Sequence, residues 1–399
     1  MFLDVLRRRN PNFVEAAMRL HQDGQLPANS YVLDLDTVEA NARALRQEAD
    51  RNGLKIFAMT KQAGRNSGLC RAIMRGGIEG AVAVDMACAR ATHKAGMKLA
   101  HLGHLQQIAR AEAGAAAKTF RPSYWTVFND EKANEAAQAA NAAGYRQDVL
   151  ARIEAPGDIF YRGHEGGFAA SDIVDVAERI ASLDGARFAG ITTFPALLFD
   201  EKSRKVLPTP NLTTLRRAAE ALARAGHKNI EINAPGTTSS VVLKALAEAG
   251  ATQCEPGNGL HGTTALHVME DLPELPAMLY LTEVSHLSGG KAYCLGGGFY
   301  IDPIFPDYDV KAIVAREPTV AASALRSVEI PPPSAIDYYA MIDASGAKAP
   351  QPGDTAVFGF RGQAFVTRAY IVGVSGIAAG TPKVETIENG FGEAMAWPA

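Results

Sequence analysis

Lys61 is the first residue whose position could do chemistry. Lys55-Ile56-Phe57-Ala58-Met59-Thr60 reads as a buried strand, and Lys61 stands at its carboxyl end, ahead of the flexible stretch Gln62-Ala63-Gly64-Arg65-Asn66. Partial desolvation at such a tip lowers an amine towards neutrality, where it can attack a carbonyl and form a Schiff base. The ordinary alternative is a lysine leaving the core at a strand end, so the weight falls on three later loops. Asn233-Ala234-Pro235-Gly236-Thr237-Thr238-Ser239-Ser240 leads into a predicted helix. Its small residues let backbone N–H groups approach an anion, its hydroxyls add donors, and the helix start adds positive potential. The same letters also describe a plain capped helix. Cys254-Glu255-Pro256-Gly257-Asn258-Gly259-Leu260-His261-Gly262 offers a second glycine nest. Its Glu255, if buried, needs a cationic or protonated partner; an exposed glutamate on a surface turn is the alternative. Gly163-His164-Glu165-Gly166-Gly167-Phe168 is a third flexible loop that could line the same mouth.

A lysine, two anion-friendly loops and a strand-tip carboxylate together suit a phosphorylated aldehyde with a basic ring nitrogen, pyridoxal 5'-phosphate (PLP). Other groups speak less clearly. His101 and His104 lie three apart on a predicted strand end, which puts them on opposite faces as a poor metal pair, and no metal site is expected. His104 can still face the mouth. Arg65 and Arg361 could hold a substrate carboxylate bidentately, or be simple solvated arginines. Asp337-Tyr338-Tyr339, after Pro331-Pro332-Pro333, could reach a partner's site.

These groups need a scaffold that brings strand ends together. Residues 1–30 read as a helical arm broken at Asn10-Pro11 and ending near Gly24 to Pro27. Tyr31 to Leu35 is a strand, and Asp36 with Glu39 resembles a capping box opening a helix through Asp50. Strand-like runs follow at 55–60, 80–84, 99–103, 124–128, 149–154, 187–193, 229–233 and 252–254. Alanine-rich amphipathic segments separate most of them, at 66–76, 85–96, 130–143, 171–183, 211–225 and 239–249. This α/β alternation predicts a (β/α)8 TIM-type barrel, since no GxGxxG follows the first strand and suspicious loops recur after many strands. The texture changes near Pro273 to Pro276. Ala277–Leu287, Ala292–Leu295, Thr355–Phe360 and Gln363–Val374 read as strands, with one helical stretch over Tyr308–Ala315. The expected domains are an arm (1–30) packing on the β-domain, a barrel (31–275) and a mainly β C-terminal domain (276–399).

The 399 residues carry 47% hydrophobic and 21% charged residues and a formal net charge of −3. That is an ordinary globular balance, and it points to neither nucleic acid nor an anionic membrane as partner. No window is long and apolar enough for a membrane span. Cys70, Cys88, Cys254 and Cys294 are widely spaced without a CxxC pair, which suits a reducing cytoplasm. The arginines soon after the start argue against a secretion signal.

Several strings resemble a known family. Thr60-Lys61-Gln62 with Gly64-Arg65-Asn66, Gly103-His104-Leu105, Gly190-Ile191-Thr192-Thr193-Phe194-Pro195, Leu207-Pro208-Thr209-Pro210-Asn211-Leu212, Asn233-Ala234-Pro235 and Glu255-Pro256-Gly257 are similar to the fold type III PLP enzymes. That is the alanine racemase and group IV decarboxylase superfamily. Tyr293-Cys294 with Gly296-Gly297-Gly298, and Phe365-Val366-Thr367-Arg368, resemble its YhfX-like branch of amino-acid racemase homologues. The resemblance implies that Lys61 carries PLP as a Schiff base and that Gly236, Thr237, Thr238, Gly257 and Asn258 hold its phosphate. It also implies a homodimer in which the β-domain of one subunit closes the barrel mouth of the other.

Two departures matter. Glu255 stands where alanine racemases carry arginine, and a carboxylate there keeps the pyridinium nitrogen protonated, as in the decarboxylases, and favours a quinonoid intermediate. Thr193 replaces the histidine that packs on the cofactor ring. Racemisation needs a second acid/base opposite Lys61, and Tyr293 and Cys294 are the candidates, with Tyr300 further along. Superfamily racemases use tyrosine there and decarboxylases often cysteine, so the string leaves the reaction open. The expected function is a PLP-dependent amino-acid racemase or epimerase acting on a small amino-acid substrate. The alternatives are a PLP-dependent decarboxylase or lyase and, in another class, a non-catalytic PLP-binding protein.

Overall fold

The computed structural model describes residues 1–305, 307, 309–346 and 348–398. The chain divides into two compact units: Arg43–Thr60 with Gly77–Gly257, and Met1–Ala42 with Lys61–Gly76 and Asn258–Ala399.

The first of these contains the barrel. Among the described residues its strands are Lys55–Ile56 with Ala58–Met59 (one strand interrupted at Phe57), Gly80–Ala83, Lys98–Leu102, Tyr124–Val127, Gln147–Glu154, Ala186–Thr192, Glu231–Asn233 and Gln253–Cys254. Each pairs in parallel with the next. Ala58–Met59 pairs with Gly80–Ala83 and Gln253–Cys254 pairs with Lys55–Ile56, so the path returns to the strand it started from. All eight strands fall where the apolar runs predict them. Helices Met86–Lys94, Asp130–Ala142, Ile173–Ala181, Pro210–Arg224 and Ser240–Glu248 also lie where alanine-rich periodicity places them. Asp85 and Asn129 cap two of them by accepting from Cys88 N and Lys132 N.

Partners in a parallel ladder share a face, so Arg152, Thr192, Asn233 and Gln253 point into the interior in one layer. A second polar layer sits at the other end of the strands. There Glu231 accepts from Tyr124 Oη at 2.9 Å and from Thr252 Oγ1 at 2.7 Å, and pairs with Lys55.

Among the described residues the other unit is built on a nine-stranded sheet. Met278–Ser288, Lys291–Leu295, Tyr339–Asp343, Leu325–Glu329, Lys311–Ala315 and Thr355–Phe358 are antiparallel neighbours, and Met278–Ser288 pairs at both ends of that series. Tyr370–Ser375 and Lys383–Glu388 extend the sheet beyond Ser30–Asp34, which pairs with Met278–Ser288 and with Tyr370–Ser375. A boundary at residue 31 would give Ser30–Asp34 to the barrel; its hydrogen bonds tie it here instead. Helices Phe2–Arg9 and Pro11–Gln22 break at Asn10 as expected, and lay Leu6, Phe13, Val14 and Met18 on Val32, Leu279, Ile313 and Val372.

Three local expectations fail. Asp36 does not open the helix Leu35–Arg51; Asp34 does, accepting from Thr37 N at 3.1 Å, while Asp36 accepts from Ile377 N. Lys311–Ala315 is a strand, because β-branched Ile313 and Val314 pair with Val357 and Ala356; Tyr308 lies outside the described residues. Gln363–Val374 is not one strand: Ala364–Val366 is a 3-10 turn held by Thr367 Oγ1 donating to Ala364 O, and the strand begins at Tyr370.

Candidate functional site

In the barrel unit the polar groups converge on Glu255. It follows strand Gln253–Cys254 and is buried, and its Oε1 accepts from Asn233 Nδ2 at 2.8 Å and is bonded to His101 Nδ1. His101 Nε2 reaches Thr126 Oγ1 at 2.6 Å, and Asn233 Oδ1 accepts from Thr192 Oγ1 at 2.7 Å. The chain of bonds runs Thr126–His101–Glu255–Asn233–Thr192 and crosses the barrel interior from one wall to the other. Burial by itself would raise the Glu255 carboxyl. The charges of His101 and His104 and the hydrogen bonds from His101 and Asn233 outweigh it, and hold the group down to about 2.

His104 also belongs here, against the expectation that it and His101 face opposite ways. Alternation fails because strand Lys98–Leu102 ends at Leu102 and Gly103 turns the chain with φ +78. A side chain at 103 would meet Thr126 O at 3.0 Å, so the turn suits glycine. His104 Nε2 comes to 3.8 Å from Glu255 Oε2, and the two imidazoles lie 5.4 Å apart. The ligand-type atoms of His101, His104 and Glu255 fall within 4.8 Å of one another. With one ring nitrogen on Glu255 and the other on Thr126, His101 could bind a metal only by giving up one of those bonds.

The loop 233–240 leads into a helix, Ser240–Glu248, as the sequence suggests, but the Thr237 N–H expected to face an anion is taken. Gly236 passes so close to Leu197 that a Cβ would lie 2.5 Å from its carbonyl oxygen, and Thr237 N donates to that oxygen at 3.0 Å. Thr238 is buried, with Oγ1 on Gly236 O at 3.2 Å. Ser239 is the N-cap of Ser240–Glu248, yet its side chain makes no capping bond and its Oγ is buried without a hydrogen-bond partner. Thr193 Oγ1 and Glu255 Oε2 share that condition. Met59 N donates to Pro256 O at 2.9 Å, so the end of the first strand runs beside the loop that carries Glu255 and Gly257.

Sequence reasoning missed Arg152. It is fully buried on the fifth barrel strand, over the rings of Phe128 (4.6 Å) and Phe160 (5.6 Å), and Nη2 donates to His164 O. Its Nε and Nη1 are buried without partners, and burial pulls the guanidinium down to about 10. The loop 163–168 folds over it: Gly166 N donates to Glu154 Oε2 at 3.0 Å, and Phe168 pairs with Ile153. An arginine inside the run Val149-Leu150-Ala151-Arg152-Ile153 was the available signal.

In the other unit Lys61 opens a 3-10 turn, Lys61–Ala63, and is half-buried, with Nζ 5.3 Å from the Phe365 ring centroid. Arg65 is at φ +58 with its guanidinium 5.3 Å over the same ring, and it donates to Gly390 O. Gly64 sits at φ +63 against Ile371, and Asn66 caps Ser67–Arg75. Asn258 starts the turn Asn258–His261; its backbone oxygen accepts from Thr263 N and its Oδ1 is a buried orphan. Arg361 is engaged with Asp302 at 2.7 Å. Tyr293 stacks on His286 at 4.6 Å, with Tyr339 edge-on. Its neighbour Cys294 is fully buried, donates towards Ala340 O, and has its thiol raised by burial to about 12. Tyr338 is exposed under the Arg368 guanidinium, and Tyr300 is half-buried.

Comparison with known proteins agrees with this architecture. Residues 33–265 match the alanine racemase N-terminal domain and residues 279–384 the YhfX-like C-terminal domain. The uncharacterized protein YhfX of Escherichia coli (strain K12) is 38% identical over 397 residues, covering 99% of this chain and all of its own. Among solved structures, D-threonine aldolase from Filomicrobium marinum superposes with a TM-score of 0.65 at 18% identity, over 92% of this chain and 96% of its own. Alanine racemase of Clostridium difficile 630 in complex with cycloserine gives 0.63 at 14%, over 92% and 99%. D-threo-3-hydroxyaspartate dehydratase from Delftia sp. HT23 gives 0.63 at 15%, over 91% and 97%. These distant likenesses speak for the fold alone. The chain belongs to the alanine racemase family, in the branch that carries a YhfX-like C-terminal domain.

Proposed function

We propose that this protein is a PLP-dependent amino-acid racemase or epimerase in which Lys61 carries the cofactor. The observation that supports the reading best is a set of buried polar atoms with nothing to bond: Glu255 Oε2, Ser239 Oγ and Thr193 Oγ1. Each orphan of this kind costs about 1–3 kcal/mol, and three of them in the barrel unit call for a polar ligand to complete them. PLP fits that donor set: a basic ring nitrogen for the carboxylate, a phosphate for the hydroxyl and the helix start, and ring substituents for the threonine.

When bound, PLP supplies an electron sink for charge developing at a substrate Cα. The residues supply the rest. Glu255, held down to about 2, would keep a ring nitrogen protonated. Ser239, Thr238 and the backbone of Gly236, with Gly257 and Asn258 on the next loop, would hold the phosphate, whereas the Thr237 N–H is already bonded to Leu197 O. Arg152 would face an oxyanion, since its guanidinium has donors to offer and no carboxylate bonded to it. It displaces Arg65 and Arg361 as the first choice for a substrate carboxylate, because two of its nitrogens are buried without hydrogen-bond partners, no Arg65 nitrogen is so left, and Arg361 already pairs with Asp302. Lys61 would move the proton on one face of Cα. Inversion requires a second group on the opposite face, and we assign it to Tyr293 of the partner subunit in a homodimer, with Tyr300 and Tyr338 near it as substrate contacts. Cys294, whose thiol stays protonated in the core, has no part in it. The four buried cysteines suit the cytoplasm.

A second reading, a decarboxylase or lyase, is favoured by Glu255, because a protonated ring is the stronger sink. The experiment is incubation with an amino-acid panel in heavy water. Deuterium at Cα with inversion supports the racemase. Release of carbon dioxide or an aldehyde transfers the assignment to the second reading. PLP uptake without any turnover contradicts both and leaves a PLP-binding protein.

A further inference from the structure

We propose that His101 is a positioning residue: it clamps one oxygen of Glu255 so that the other is presented, ionised, to the N–H of a bound heteroaromatic ring. This rests on reading the barrel as a PLP site and assigns a role to a residue outside that reading's contact set.

The geometry is asymmetric. Glu255 Oε1 is doubly engaged, by His101 Nδ1 and by Asn233 Nδ2, whereas Oε2 is buried with no hydrogen-bond partner, with His104 Nε2 3.8 Å away. His101 cannot turn easily, because Thr126 Oγ1 holds its other nitrogen at 2.6 Å and Asn233 is in turn held by Thr192. A carboxylate fixed in this way offers one acceptor in one direction. That is the requirement for choosing a ring carrying N–H over one carrying C–H. If His101 is removed, burial favours the protonated carboxyl, which offers a ring nitrogen no charge. A charge-assisted hydrogen bond of this kind corresponds to about 10–100-fold in affinity.

The test compares binding of PLP with binding of 1-deaza-PLP, which has C–H in place of the ring nitrogen, by visible absorbance on the full chain. The wild type is expected to prefer PLP by at least about 10-fold. His101→Leu should bring the two within about 3-fold, and His101→Asn, which keeps an N–H donor, should restore most of the preference. The ratio is taken within one preparation, so a partly unfolded variant lowers both affinities together and leaves it unchanged. Equal affinities in the wild type, or a full preference surviving in His101→Leu, would overturn the role of His101 while leaving PLP attachment at Lys61 intact. If the wild type takes up no PLP at Lys61, the cofactor reading itself fails.

Discussion

Buried histidines are treated differently in the two units. In the barrel unit His101 and His104 surround a carboxylate, and all three groups are buried. In the other unit His261 and His267 are as deeply buried and bond to the hydroxyls of Thr263 and Thr264; the buried Glu274 carboxylate lies 3.9 Å from His267 Nε2, too far for a hydrogen bond. Burial pulls both down to about 3, helped by the charges of His267 and Arg361 on His261 and of Arg9 on His267. His21 lies at about 4, also through burial. The lesson is one of contrast. An imidazole whose hydrogen bond goes to a hydroxyl is pulled down by burial; one hydrogen-bonded to a buried carboxylate helps hold that carboxylate down, and the Glu255 oxygen left without a bond marks a place for a ligand.

The largest expected effect comes from removing the carboxylate. Glu255→Leu leaves His101 and His104 facing an apolar group, and should cost about 3–5 kcal/mol in denaturant unfolding. A loss below about 1 kcal/mol would mean the barrel histidines are as neutral as the others.

Acid separates the two sets by pH window. Histidines lowered in the fold bind fewer protons than in the unfolded chain, so stability falls as pH drops from about 6.5 towards the folded values near 4 and 3. Glu255 is lowered too, from 4.5 to about 2, so its contribution is intact above 4.5 and disappears as pH falls through 2. Between pH 7 and 5 the melting temperature should drop by about 10 °C, with hydrogen exchange rising first in the β-rich unit. Earlier loosening of the barrel would reverse the contrast.

Gly236→Ala should cost about 2–3 kcal/mol and weaken phosphate binding, because its Cβ has no room beside the Leu197 backbone. Unchanged stability in a thermal melt would show that this loop yields. The smallest effect is expected for Cys294→Ala: turnover of any substrate found should stay within about 2-fold, since a thiol held near 12 moves no proton at neutral pH.

Much of the scaffold was legible in the chain. Apolar runs at regular intervals marked the eight barrel strands, because each is short, buried and bounded by turn residues. Glu255 and the loop 233–240 were legible for the same reason, as chemistry-bearing letters at strand ends. What escaped depends on partners far along the chain. His101 was set aside because alternation assumes an unbroken strand, and the turn at Gly103 breaks it. Arg152 looked like any strand residue until the ladder with Thr192 fixed its face. Phe365 under Lys61 and Arg65, and the hydroxyls of Thr126 and Thr263 that receive histidines, pair over distances that no local pattern records.

The most direct test of the account is borohydride reduction of the PLP-loaded protein followed by peptide mapping. The account predicts a visible band that reduction abolishes, a pyridoxyl group on Lys61, and neither in Lys61→Ala. A label on another lysine, or an unchanged band in Lys61→Ala, would contradict it.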